Sequence, residues 1–219
     1  MMSRIIFIEG VSGVGKTTTA TLLSKKLQGM GYKADCYLEG DNSNPLDPFN
    51  GTYPPKISMT DFFATYKQCW QSFMGNDLDR DFVILDGTLL HYQINDLIRG
   101  YSASDVVIVE HLSDLLSIIE PLTPILFYLS SHNVSERLIQ ARISRKQSAP
   151  SVSSIAFWEN RKRIDLLALE RLPIETHIID VDFATYEPDN EFASKFYASL
   201  GFVETGVKVD DEAVAKLKL

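Results

Sequence analysis

The chain has 219 residues, of which 45% are hydrophobic and 23% charged, and its formal net charge is −8. These proportions fit one large globular domain, or one domain with a small appendage. The acidic balance argues against a general nucleic-acid binder, and no apolar run reaches the ~20 residues of a membrane span. We therefore expect neither nucleic acid nor membrane as a partner. Two cysteines without metal-like spacing, and no signal pattern at the N-terminus, predict reduced thiols in a cytoplasmic protein.

The first predicted elements are a buried strand over residues 4–8 and a helix over residues 18–30, joined by a glycine-rich stretch. That stretch, from Gly10 to Thr17, matches the phosphate-binding pattern G-x-x-x-x-G-K-[ST] at each fixed position. Its glycines let backbone N–H groups point into one concavity, to which the following helix adds its unpaired N–H groups. The pattern predicts that Lys16 reaches the β- and γ-phosphates and that Thr17 binds Mg²⁺. The predicted phosphate-binding residues are Gly10, Val11, Ser12, Gly13, Val14, Gly15, Lys16, Thr17 and Thr18.

A second strand is predicted over residues 33–38, and it leads into a polar turn that contains Glu39 and Asp41. The segment from there to Pro55 is too rich in turn residues for regular structure, and loops of that length are often functional. A helix over residues 58–74 follows. The next strand ends at Asp86, an apolar strand closed by an acid, which is the pattern of a carboxylate that holds Mg²⁺. The alternative is that Asp86 only caps a turn.

The remaining elements alternate between helices and strands. Helices are predicted over 89–98, 105–119, 133–146 and 154–172, although residues 106–109 also fit a strand; strands are predicted over 124–129 and 178–182. This order predicts an α/β fold, a doubly wound and mostly parallel sheet of about five strands with helices on both faces. Ligands bind at the carboxyl ends of the strands in such sheets. Residues 10–17, 39–41 and 86–87 should therefore converge on one cleft.

Charge is unevenly distributed along the chain. Residues 137–171 contain eight Lys or Arg and three acids, a local balance of +5, which leaves −13 for the rest. A basic window in an acidic chain suits a small polyanion such as a nucleoside triphosphate. Within it, Arg161 lies in an apolar helical stripe, so its side chain should either extend to the surface or point into a cleft.

The chain resembles the P-loop kinases of nucleosides and nucleotides, in particular the thymidylate kinase and deoxynucleoside kinase group. The resemblance rests on Phe7-Ile8-Glu9-Gly10 before the phosphate loop, on the acids after the second strand, and on an Arg-rich helix pair around a short polar break. It implies a kinase domain over residues 1–182 that uses ATP and Mg²⁺. The sequence departs from the family after the third strand, where Asp86-Gly87-Thr88 replaces the family's Asp-Arg-Tyr or Glu-Arg-Ser.

The same resemblance implies roles for further residues. Either Glu39 or Asp41 would bind the acceptor or take its hydroxyl proton. Lys16 and Asp86 would be the other catalytic groups. Arg142 and Arg145, with Arg161 as a third, would belong to a lid that closes over ATP and meets the charge on the transferred phosphoryl group.

A second resemblance lies in the C-terminal segment 183–219. Residues 190–202 and Glu204-Thr205-Gly206 are similar to the closing helix and strand of GCN5-related acetyltransferases, yet the chain lacks that family's acetyl-CoA loop. An amphipathic helix that ends at a glycine explains much of the match. We expect this appendage to pack on the sheet or to pair with a second copy of the chain in a homodimer.

Two other functions compete with a phosphotransferase that acts on a nucleoside, a nucleoside monophosphate or another alcohol. One is a P-loop ATPase or nucleotide switch, and the other is an acetyltransferase. The Arg-bearing helices and the acid-rich loop favour the phosphotransferase, and the Asn-Lys-x-Asp motif typical of guanine-reading switches is absent from the sequence.

Overall fold

A computed structural model describes residues 4–41, 44–49, 56–75, 79–186, 189, 198, 202–209 and 212–217. Five parallel strands form the central sheet in the order β2-β3-β1-β4-β5. The strands are β1 (Arg4–Gly10), β2 (Ala34–Tyr37), β3 (Phe82–Asp86), β4 (Ile125–Ser130) and β5 (Glu175–Asp180). The predicted α/β fold with a five-stranded parallel sheet is thus confirmed.

Helices cover both faces of this sheet because alternate residues of each strand point to opposite sides. Ile5 and Phe7 of β1 lie in one buried cluster, whereas Ile6 and Ile8 lie in another. The helices are α1 (Lys16–Gly29), α2 (Met59–Gly75), α3 (His91–Tyr101), α4 (Asp105–Ile119), α5 (Val134–Ser144) and α6 (Val152–Leu169), with a short 3₁₀ turn at Glu120–Leu122.

Most predicted elements agree with these bounds to within a few residues. The ambiguous segment 106–109 is helical, within α4, whose N-cap Ser104 accepts a hydrogen bond from Val107 N at 3.4 Å. The last strand of the sheet was predicted over 178–182, but it begins at Glu175 and ends at Asp180. The difference arises because β5 is an edge strand with exposed residues, which lacks the continuous apolar run of a central strand. Cys36 and Cys69 are free thiols.

The C-terminal segment contributes a second, antiparallel sheet of order β6-β8-β7, formed by β6 (Phe183–Tyr186), β7 (Phe202–Val209) and β8 (Glu212–Leu217). The strand β6 was not predicted. The predicted helix of this segment falls mainly on residues 190–197 and 199–201, which lie outside the described residues. Among the described helices, none is both long enough and apolar enough to cross a membrane.

Candidate active site

Two positions in the loop between β1 and α1 require glycine for two reasons. Their φ angles are positive, and neighbouring backbone atoms lie too close to leave room for a Cβ. A Cβ at Gly10, where φ is 143°, would lie 2.5 Å from the carbonyl oxygen of Leu129. A Cβ at Gly13, where φ is 90°, would lie 2.7 Å from the carbonyl oxygen of Arg137 on α5. Both contacts are with backbone atoms that cannot yield easily. The loop is therefore held tightly between β4 and α5, and the apolar Val11 and Val14 side chains lie in the core below it.

Lys16 extends from the start of α1 into a small polar cluster and is only 6% exposed. Its Nζ atom lies 3.4 Å from the carbonyl oxygen of Val11, 3.4 Å from His91 Nδ1 and 3.4 Å from Glu39 Oε2. These three distances are long for hydrogen bonds and ion pairs. The ammonium group is thus held loosely among several acceptors, which leaves it able to turn toward a phosphate oxygen.

Thr17 and Asp86 meet at the carboxyl end of β3. Thr17 Oγ1 donates a hydrogen bond to Asp86 Oδ2 at 2.6 Å, and Glu39 N approaches the same oxygen at 3.3 Å. The other carboxylate oxygen, Asp86 Oδ1, is buried without a hydrogen-bond partner among the described residues. Burial raises the pKa of Asp86, although the hydrogen bond from Thr17 opposes this. A buried carboxylate oxygen without a partner, beside a hydroxyl, is a donor set that suits Mg²⁺.

Glu39 lies just after β2 and is paired with His91 of α3. Glu39 Oε1 is 3.1 Å from His91 Nε2. Burial, with Lys16 beside the ring, lowers the pKa of His91 to about 4, so the imidazole is neutral near pH 7. Because the Lys16 ammonium can only donate, Nδ1 accepts and Nε2–H donates to Glu39. Burial would raise the pKa of Glu39, but His91 and Lys16 hold it below its ordinary value, which keeps Glu39 ionised.

The N-terminus of α3 is fixed by Glu9, the residue before the first loop glycine. Its carboxylate accepts hydrogen bonds from the backbone N–H groups of Leu89 at 2.7 Å, Leu90 at 3.0 Å and His91 at 3.1 Å. These donors belong to the start of the helix and would otherwise lack partners. Glu9 therefore places His91, and the face of α3 that follows it, against the end of β1.

Two neighbouring cavities meet at Glu39. The first, of about 640 Å³, is lined by Ser12, Gly13, Gly15, Lys16, Thr17 and Thr18, and by Arg145 from the end of α5. The second, of about 240 Å³, lies along α3 and is lined by acids, aromatic rings and one arginine. Glu39 lines both. We refer to them as the phosphate cleft and the second cavity.

Glu39 and Asp41, between which the sequence did not decide for the acceptor-side acid, lie in different surroundings. Glu39 is in the cluster with Lys16, whereas Asp41 is exposed and lines neither of these cavities. Its backbone N–H donates to the carbonyl oxygen of Leu38 at 3.2 Å, which makes it part of a turn. The catalytic role predicted for Asp41 does not fit this position.

The three predicted lid arginines occupy different environments. Arg145 lines the phosphate cleft, and Arg142 is half-buried one turn earlier. Arg161 is completely buried, so the lid role predicted for it is wrong. Its Nε donates to Asp165 Oδ1 at 2.7 Å and its Nη1 to Asn95 Oδ1 at 2.6 Å. Arg161 thus joins α6 to α3 inside the core, with one nitrogen, Nη2, that has no partner among the described residues.

Other cations of the basic window, residues 137–171, are also bound to other parts of the fold. Arg137 is buried against Asp182 at 2.9 Å, and Arg163 pairs with Asp105 at 2.8 Å. Lys162 donates to the carbonyl oxygen of Ser131 at 2.7 Å. These three cations join elements of the fold, and none of them is among the residues that line the phosphate cleft.

Several residues of the site were not singled out from the sequence. These are Glu9 and the polar face of α3, with Trp158 from α6, whose ring stacks on His91 at 5.3 Å between centroids. A signal was present: polar residues recur at positions 91, 92, 95, 96 and 99, a helical spacing that directly follows the strand ending at Asp86.

Comparison with known proteins supports a kinase-type phosphate loop. Residues 2–44 match the family described as adenylylsulphate kinase. A probable adenylyl-sulfate kinase of Archaeoglobus fulgidus is 55% identical over 40 residues, which are 18% of this chain and 25% of that protein. The aligned segment spans only a quarter of that relative. The family match over residues 2–44 includes the phosphate loop and Glu39.

Solved structures also resemble the chain, and one of them does so over most of its length. The YorR protein of Bacillus subtilis, in complex with phosphorylated GDP, has a TM-score of 0.50 at 14% identity and covers 90% of this chain and 95% of its own. At that identity the likeness concerns the fold. Together the matches support a P-loop kinase family, while the thymidylate kinase and acetyltransferase resemblances stay predictions.

Proposed function

We propose that the protein is an ATP-dependent phosphotransferase that moves the γ-phosphate of ATP to a hydroxyl group of a small acceptor, a nucleoside or nucleoside monophosphate in the first instance. The observation that carries this proposal is that Glu39 lines both the phosphate cleft and the second cavity. A triphosphate in the first and an alcohol in the second would meet beside Lys16 and Glu39.

Each residue then has a defined part. Lys16 would bind the β- and γ-phosphates, and Arg145, with Arg142 behind it, would meet the charge on the transferred group. Thr17 and Asp86 would hold Mg²⁺, which supplies positive charge to the phosphate oxygens when bound. The acceptor oxygen forms a bond to the γ-phosphorus as the bond to the bridging oxygen of ADP breaks. The hydroxyl proton passes to the carboxylate of Glu39, which His91 orients.

The alternative functions fit the second cavity less well. An ATPase or nucleotide switch requires no enclosed site for a second small molecule. A kinase of a non-nucleotide alcohol remains compatible with every contact described, because the roles of Lys16, Glu39 and Asp86 do not depend on the rest of the acceptor. The adenylylsulphate kinase match in residues 2–44 favours an acceptor that contains a nucleoside part.

The test is phosphorylation of acceptors by the purified chain with Mg²⁺ and ATP, with products identified by mass spectrometry. The set comprises nucleosides, nucleoside monophosphates, adenylyl sulfate and sugar-like or amino alcohols. Lys16→Met should lower turnover by ~10²–10³, because it removes an electrostatic contact to the transferred group. Lys25→Met, an exposed change on the same helix, is the matched control and should retain full turnover.

Two results would contradict the proposal. Near-normal turnover of Lys16→Met with a confirmed acceptor would mean that the loop does not serve the reaction. Hydrolysis of ATP at a rate that no acceptor changes, with no phosphorylated product, would favour the ATPase.

A further inference from the structure

The second cavity is built mainly on one face of α3, whose residues His91, Tyr92, Asn95, Asp96 and Arg99 all line it. Aromatic rings from three other segments form its walls. Phe49 and Tyr66 pack against each other at 5.5 Å between ring centroids, and Trp158 stacks on His91. Its volume of about 240 Å³ is below the roughly 300–1,000 Å³ typical of ligand pockets. The cavity therefore suits a small molecule with a flat or apolar part.

Asp96 is the unusual group in this cavity. It is 6% exposed, yet it has no hydrogen-bond or ion-pair partner among the described residues. Its carboxylate therefore faces the cavity that it lines, where contact with water is restricted and a charge without a partner is costly. A ligand that donates a hydrogen bond to Asp96 would supply the missing partner.

The charges around Asp96 are predominantly negative. Asp47 and Glu39 line the same cavity, and Arg99 is the one cation among its described lining residues. The Arg99 guanidinium lies 3.6 Å from the centre of the Phe157 ring. Residues 50–55, which follow Phe49 in the chain, include no charged type. Because Lys16 offsets the charge of Glu39 at 3.4 Å, an acceptor that carries a phosphate or sulfate would meet Asp47 and Asp96 against the one guanidinium, and these two carboxylates would repel it.

We infer that, within the function proposed above, the acceptor is an unphosphorylated alcohol that carries an amino or other N–H donor group, and that Asp96 selects it by accepting a hydrogen bond from that group. The donor can be the exocyclic amino group of a nucleoside or the ammonium group of an amino alcohol. Nucleoside monophosphates and adenylyl sulfate are excluded by the same carboxylates. Asp96 is a specificity residue here, and the chemistry of transfer stays with Lys16 and Glu39.

The acid–base properties of the cavity agree with this assignment. Burial, together with the negative charge of Asp47, raises the pKa of Asp96 to about 7, and Arg99 opposes the rise. Of the other titratable groups that line the cavity, Glu39 stays ionised and His91 stays neutral near this pH. Burial also raises the pKa values of Tyr66 and Tyr92. Binding of a donor should therefore strengthen as the pH rises through about 7 and Asp96 ionises.

The experiment compares kcat/KM for matched acceptors with the full chain. Comparing cytidine with uridine, and adenosine with inosine, measures the effect of the exocyclic amino group. Comparing each nucleoside with its 5′-monophosphate measures the effect of the phosphate. Comparing an amino alcohol with its deaminated form tests whether an ammonium group can be the donor instead. Wild-type protein should prefer the amino-bearing, unphosphorylated member of at least one series by roughly 10- to 100-fold. Asp96→Ala, which removes both acceptor oxygens, should abolish that preference, whereas Asp114→Ala, an exposed change on α4, should keep it.

The outcomes separate the inference from the function on which it rests. Efficient phosphorylation of monophosphates or adenylyl sulfate, or an unchanged preference in Asp96→Ala, would overturn the inference and leave the kinase intact. No phosphorylated product from any acceptor would overturn both. A second measurement does not depend on the folding of the variant: in wild type the KM for the preferred acceptor should fall as the pH rises through about 7, and a flat profile would count against Asp96.

Discussion

At the scale of single residues, the site depends on carboxylates whose surroundings differ. Glu39 has two positively polarised neighbours and stays ionised, whereas Asp86 has one buried oxygen without a partner among the described residues. The first arrangement suits a group that orients an alcohol by accepting a hydrogen bond from it, and that takes the proton only as the bond to phosphorus forms. The second suits a group that meets a metal ion. Their separation by a single hydrogen bond, from Glu39 N to Asp86 Oδ2, brings the two tasks together.

The residue-scale prediction concerns Asp86→Asn. It should reduce Mg²⁺-dependent turnover much more than it weakens binding of metal-free ATP, because the lost charge faces the metal rather than the phosphates. Turnover against Mg²⁺ concentration, and calorimetric binding of ATP in a chelator, measure the two effects separately. The side chain of Asp79 is 73% exposed, so Asp79→Asn provides the control. An equal loss of both properties would indicate that Asp86 only caps the turn after β3.

At the scale of elements, two helices surround the phosphate loop and do different work. The helix α3 is anchored by Glu9 and carries the wall of the second cavity. The helix α5 lies against the loop, since a Cβ at Gly13 would strike the Arg137 carbonyl oxygen. Arg145, directly after its last residue, lines the cleft. A helix that touches the loop at one end and places cations at the other can act as a lid.

The element-scale prediction follows from that position of α5. Arg142→Ala and Arg145→Ala should each lower kcat more than they raise the KM for ATP, because cations that close on developing charge act mainly in the transition state. Steady-state kinetics with a saturating acceptor measure the two parameters. Arg171→Ala, which removes an exposed arginine beyond α6, should change neither. A change confined to KM in both variants would make α5 a clamp for bound ATP.

At the scale of the whole molecule, site residues could be predicted from the sequence when their contacts are with residues nearby in the chain. Residues whose positions depend on contacts between distant parts of the chain could not. Lys16 and Thr17 were assigned because the motif fixes a strand, a loop and a helix within one short stretch. His91 and Asp96 were not, because their places depend on the contact of Glu9 with α3, 80 or more residues along the chain. Arg161 was placed in the core stripe by its spacing, yet its partner Asn95 lies on another helix.

The C-terminal end of the proposed kinase domain is anchored by Asp182, whose interactions were not predicted from the sequence. Asp182 is 4% exposed and accepts hydrogen bonds from Ser131 Oγ at 2.8 Å and from His132 N at 2.6 Å, in addition to its ion pair with Arg137. These groups precede or belong to the first turns of α5. The proposed boundary between residues 1–182 and 183–219 falls directly after this anchor.

The last prediction is that residues 1–182 suffice for phosphoryl transfer, whereas residues 1–180 do not. The shorter chain loses Asp182, which leaves the buried Arg137 without its carboxylate partner, and breaking a buried ion pair typically costs ~3–5 kcal/mol. Because Arg137 also carries the carbonyl that Gly13 packs against, the damage should reach the phosphate loop. ATP turnover, circular dichroism and melting temperature of both truncations are compared with the full chain. Loss of turnover in a folded 1–182 protein would contradict this prediction and would show that the β6–β8 segment contributes to the site. Binding of acetyl-CoA to the full chain, measured by calorimetry, would support the acetyltransferase resemblance of that segment.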